Sequence, residues 1–158
     1  SEEDGLLPGP NDEGGVEFRI PANVSGHVEE QTFQIGNPNA DYAIFLAGTH
    51  MHYVGTDMAI WIEREEPDQG EEATECLVQT PKWDFNWQRG YSYDAEIAEL
   101  PRLNAGDTLR LRCTYDNTLA NVGVKRALED AGIDEPSDVF LGEATLDEMC
   151  LGVFGVLY

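Results

Sequence analysis

The sequence predicts an all-β chain, an antiparallel β-sandwich of jelly-roll or Greek-key type with one short helix in a loop. Three observations lead there. Eight or so short segments either alternate apolar and polar residues or run apolar for a strand's length, with turn residues between them. Only residues 124–131 carry a helical pattern. Hydrophobic residues make up 41% of the chain, enough for a packed core despite its acidity.

Residues 1–15, SEEDGLLPGPNDEGG, are rich in Gly, Pro and acid, with only Leu6 and Leu7 apolar. They are expected to form a flexible acidic linker or tail of the kind left when a piece is cut from a longer chain, with residues 16–158 as the one domain. From Val16 the period becomes two. Val16, Phe18 and Ile20 alternate with polar neighbours, as do Phe33 and Ile35. Asp41–His50 (DYAIFLAGTH) is a continuous apolar strand, expected to be buried on both faces. Residues 58–63 and 74–79 are two more strands. Pro67, Asp68 and Gly70 between them make the pair a hairpin. Residues 91–100 alternate weakly. Residues 108–115 alternate cleanly, with Leu109, Leu111, Cys113 and Tyr115 on one face. The helical stretch VKRALEDA is closed by Gly132. Residues 148–158 form a last strand.

Lys plus Arg number 9 and Asp plus Glu 31, giving a net charge of −22. That excludes a nucleic-acid binder, or an anionic-membrane binder, working through a basic face. It fits solubility in salt, a cationic partner or a bound cation. No apolar run reaches the roughly 18 residues of a membrane span. No secretory leader pattern begins the chain, so such a leader is either already removed or was never there. The acids of the 63–72 hairpin match no calcium-loop spacing and read as a solvated turn. Asn23-Val24-Ser25 is a glycosylation sequon.

The chemistry-bearing residues are few: His27, His50 and His52; Cys76, Cys113 and Cys150; Met51, Met58 and Met149. His50-Met51-His52 ends a strong strand. Residues i and i+2 share a face, so the two imidazoles stand side by side, about 7 Å apart at Cα, within reach of one metal ion. Met51 points the other way. Imidazole suits zinc, copper, iron and nickel, and two half-exposed histidines at a strand end are equally ordinary in a β-protein. A third ligand could be His27, a carboxylate, Met58 or Met149. A carboxylate favours zinc or iron and a thioether favours copper, and spacing alone does not choose. Asp57, just past the pair, is a candidate partner orienting an imidazole. Asp147 and Glu148 are read as setting the turn before Met149 or accepting hydrogen bonds from it. Trp83 and Trp87 are read first as packing residues, and second as an aromatic platform.

Several pieces occur together and in order: GTHMH at 48–52 with Gly55, DFNWQ at 84–88 with Tyr91, AGDTLRLRCTYDN at 105–117, and GEATLDEMCL at 142–151 before a final apolar strand. Over residues 16–158 this combination resembles the C-terminal domain of the copper type II, ascorbate-dependent monooxygenases, the family of dopamine β-hydroxylase and the peptidylglycine α-hydroxylating monooxygenase. The resemblance implies one copper ion, Cu(I)/Cu(II), on His50, His52 and Met149, with dioxygen in the open position and no catalytic residue beyond the ligands. It implies a Cys113–Cys150 disulfide, worth roughly 4 kcal/mol on the chain-entropy model. Cys76 is then a buried free thiol. It implies ascorbate as an external reductant and an oxidising location: secreted, periplasmic or cell-surface.

The chain also departs from that family. A second copper on three His, carried by the family's N-terminal half, cannot be rebuilt from His27 alone, so the chain is a piece of a longer protein or a single-copper relative. The peptidylglycine enzyme's carboxylate anchors fall here on Gly48, Leu151 and Val153. An apolar set does not hold a carboxylate, which leaves a small or apolar substrate. Three functions follow as expectations: the dioxygen-binding, substrate-hydroxylating half of a copper monooxygenase, with an N-terminal copper domain as partner; a non-catalytic copper module for storage, delivery or electron transfer; and a β-sandwich assembly or adhesion module that keeps the fold.

Overall fold

The computed structural model describes residues 4–158. Ser1, Glu2 and Glu3, part of the expected tail, lie outside the described residues. Strand β1 (Gly5–Leu6) is followed by β2 (Arg19–Ile20), β3 (Ser25–Gln34), β4 (Asp41–His50), β5 (Gly55–Glu63) and β6 (Thr74–Thr80). A 3-10 turn, Phe85–Trp87, precedes β7 (Gly90–Ser92), and another, Ile97–Glu99, precedes β8 (Arg102–Asn104). Then come β9 (Thr108–Asp116), helix α1 (Val122–Ala131), β10 (Val139–Phe140) and β11 (Leu151–Leu157).

The fold is an all-β sandwich with one short helix, and the named strands all pair antiparallel. One sheet has the order β1-β3-β9-β5-β6. The other has the order β11-β4-β7, with β8 pairing the first residues of β4. A small ribbon, β10-β2, stands apart. The chain passes from β3 in the first sheet to β4 in the second and back to β5 in the first. The segment 51–54 is therefore a crossing between sheets, and the His-x-His motif lies at its start.

Alternation in the sequence becomes burial in the core. β9 follows it strictly, with Leu109, Leu111, Cys113 and Tyr115 all inside. β5 faces it with Met58, Ile60 and Ile62, each fully buried. Each such side chain contributes about 1.5–3 kcal/mol of burial. β4 is buried on both faces along much of its length, at Ala43, Ile44, Ala47 and Thr49, but Phe45 is exposed. The expected 63–74 hairpin is present, with Glu63 paired to Thr74. The helix begins two residues earlier than expected and ends where expected, at Ala131. It is capped at Asn121, whose side chain accepts the Gly123 N–H, and at Gly132.

Three expectations are corrected. Residues 4–15 are not a free tail. β1 adds to the edge of the first sheet, pairing Gly5 with Thr32 and Leu6 with Gln31, and the Leu7 N–H donates to the Glu30 carbonyl at 2.9 Å. Leu6 packs against the core, so the one apolar pair in the segment serves to dock it. Phe33 is exposed near the end of β3, although its neighbour Ile35 packs against the core. Cys76 is a free thiol but lies exposed on β6. The register explains it: a bulge pairs Ile60 with Val78 but Trp61 with Cys76, which turns Leu77 and Val78 inward and Cys76 outward.

Candidate metal centre

β4 ends at His50, and the chain turns through Met51 and His52 toward the other sheet. Met51 is fully buried in the hydrophobic core. The two rings stand 5.3 Å apart between centroids, nearly perpendicular. His50 is partly exposed and His52 is buried.

Hydrogen bonds fix which nitrogen each ring presents. Nδ1 of His52 lies 2.9 Å from the main-chain carbonyl of Asp147, which can only accept. In the neutral ring Nδ1 therefore carries the proton, which leaves the lone pair on Nε2. Nδ1 of His50 lies 2.6 Å from Oε1 of Gln88, whose own amide nitrogen donates to the Phe85 carbonyl at 2.9 Å. That second bond sets the amide's orientation, so His50 is also protonated at Nδ1. Neither Nε2 atom has a hydrogen bond among the described residues. Nδ1–H held by an oxygen with Nε2 left open is the arrangement that prepares imidazoles for a metal.

Trp83 donates its indole N–H to the His52 carbonyl at 2.9 Å, and Phe85 packs edge-on against the His52 ring at 5.9 Å. Trp83 thus packs and holds the motif's backbone. Trp87 is 64% exposed and stacks under the Arg89 guanidinium at 3.9 Å.

Glu148 links the main chain of Met149 to that of His52. β11 begins with Leu151 opposite His50. Met149 lies two residues before that pairing begins. The fully buried Glu148 carboxylate clamps both: Oε1 accepts the main-chain N–H of His52 and that of Met149 (2.8 Å), while Oε2 accepts Val54 N–H at 3.2 Å. Burial pushes the Glu148 carboxyl up to about 7, against the four N–H groups of His52, Met149, Val54 and Gly55 that pull it down. Tyr115 completes the support. Its hydroxyl donates to the Met149 carbonyl at 3.1 Å, and burial raises its pKa well above the ordinary value.

Cys113 of β9 and Cys150, next to Met149, form a disulfide. It ties the two sheets together beside the motif. The loop before it is closed by Asp147, whose carboxylate accepts the Ala144 N–H at 3.1 Å.

The other sequence candidates lie elsewhere. His27 is buried with both ring nitrogens engaged, by Glu29 at 2.7 Å and Asn11 at 2.9 Å. Met58 is core filling opposite Cys113. The Asp57 carboxylate accepts from Gln79, and the groups that orient the imidazoles are Gln88 and the Asp147 carbonyl. The sequence assigned no role to Gln88 and did not foresee the hold of Glu148 on His52 and Val54. Among the described residues no group of three or more His, Cys, Asp or Glu side chains is gathered as a metal site. No helix among them is long and apolar enough to cross a membrane. No known family model matches the chain, and no curated protein matches it.

Proposed function

We propose that His50, His52 and Met149 hold one copper ion, and that the chain is the dioxygen-binding half of a copper monooxygenase-like protein in an oxidising compartment. The observation that carries this reading is the pair of Nε2 atoms left open by Gln88 and the Asp147 carbonyl. Two imidazoles and a thioether form a soft, neutral donor set suited to Cu(I). Copper bound there would supply the one-electron chemistry that activates dioxygen. The chain's own residues orient it: Gln88 and Asp147 hold the imidazole tautomers, and Glu148 holds the Met149 and His52 backbones against each other. Leu151 and Val153 are exposed on β11, opposite His50 and Gly48. They favour an apolar substrate over a carboxylate.

A second reading has its own support. His27 is locked to Glu29 and Asn11, so the described residues hold no second copper site to store an electron. The chain alone would then bind copper for transfer or storage. Ascorbate-dependent oxygen uptake separates the two. The enzyme reading requires uptake above that of a His50→Ala variant. Copper binding with uptake equal to that variant supports the transfer module.

A further inference from the structure

Away from the histidine pair, the N-terminal segment meets β3 over the buried carboxylate of Glu29 and the partly buried one of Asp12. Glu29 points into the sandwich with its side chain 1% exposed. Its Oε1 takes the His27 N–H, but its Oε2 is buried with no hydrogen-bond partner among the described residues. Asp12 has the same form. Its Oδ2 takes the Gly9 N–H at 2.9 Å, and its Oδ1 is buried and unpartnered. The two oxygens converge: a Cβ placed on Gly9 would sit 3.0 Å from Asp12 Oδ1 and 3.2 Å from Glu29 Oε2. Gly9 leaves that space free of a side chain.

Two such oxygens together are costly in a chain of charge −22. We infer that Asp12 and Glu29 share a hard, oxygen-seeking cation of the calcium class, which fastens the N-terminal segment to β3. The donors available are oxygens only, because both His27 nitrogens are engaged; that disfavours copper and zinc and suits calcium. Calcium also tolerates irregular ligand geometry, with carbonyls and water completing its shell, where magnesium demands a near-ideal octahedron. The site is separate from the proposed copper centre and does not depend on it. With two carboxylates, the affinity expected is that of extracellular calcium modules, a Kd of about 10⁻⁴–10⁻³ M.

The test is thermal unfolding of the full chain, stripped with chelator and then titrated with calcium at constant ionic strength, with magnesium in parallel. The expected result is a Tm rise of roughly 5–10 °C at calcium a hundredfold above Kd, with a smaller rise in magnesium. Asp12→Asn should abolish the rise while folding normally in chelator, since Asp12 lies on the docked segment rather than in the core. Glu29→Gln should do the same. If Glu29→Gln fails to fold, Asp12→Asn alone decides. A Tm unmoved by calcium overturns the inference. So does a calcium-dependent rise that survives Asp12→Asn, which would place the ion among the other acids.

Discussion

The fully buried carboxylate of Glu148 accepts the main-chain N–H of His52, 96 residues away in sequence. The same oxygen accepts the N–H of Met149. One side chain thus sets the spacing between the end of the β4 motif and the start of β11. That spacing decides whether a thioether can join two imidazoles.

Glu148 should give the metal-free chain a particular pH dependence. Its carboxyl is raised from 4.5 to about 7 on folding. Between those values the folded chain holds a proton that the unfolded chain releases, so stability falls as pH rises from 4.5 to 7. The effect is roughly 3 kcal/mol over the full window. Surface repulsion in so acidic a chain slopes the same way. Urea unfolding from pH 4.5 to 7.5 should therefore show a shallower slope in Glu148→Gln than in the unaltered chain. Equal slopes would remove Glu148 as the cause.

Gln88 should matter to the metal and little to the fold. It is exposed, and among the described residues its one long-range hydrogen-bond partner is the His50 ring. Gln88→Ala should weaken copper binding about 10–100-fold. Denaturant stability without metal should stay within about 0.5 kcal/mol. Competition with a Cu(I) chelator of known affinity measures the first, and urea unfolding the second.

Removing the disulfide should loosen the site and the sandwich together. Cys113 and Cys150 close a separation of 37 residues, and both are fully buried. The Cys113→Ala, Cys150→Ala double variant should lose about 3–4 kcal/mol. It should also bind Cu(I) more weakly, because Met149 adjoins the bridge. Unfolding titrations and chelator competition read the two losses separately.

Gly55→Ala should disturb the crossing itself. A Cβ there would lie 2.9 Å from both Cβ and Cε of the fully buried Met51. The expected cost is about 1–3 kcal/mol, seen as a lower urea midpoint with an unchanged m-value.

Much of this architecture was legible from residue patterns. The strict alternation from Leu109 to Tyr115 and the apolar run ending at His50 fixed two strands and their inner faces. The His-x-His spacing was enough to place two imidazoles on one side, because strand geometry is periodic. What stayed hidden depends on contacts between distant segments. Leu6 and Leu7 look too few to fold a Gly- and Pro-rich tail, yet the edge of β3 supplies their partners. Cys76 faces outward because of a bulge, which no alternation reveals. Glu148 looked like a turn residue. Its hold on His52, Val54 and Gly55 appears only when β11 returns beside β4. Gln88 likewise needed the 85–87 turn to bring it to His50.

The central claim is that His50, His52 and Met149 bind one copper. Copper stoichiometry with X-ray absorption at the copper edge, on Cu(I)-loaded protein, tests it most directly. The account predicts one ion per chain with two imidazole nitrogens and one sulfur. The sulfur signal should disappear in Met149→Ala, and most of the bound metal in His50→Ala. Copper bound with unchanged stoichiometry and an unchanged spectrum in both variants would contradict it.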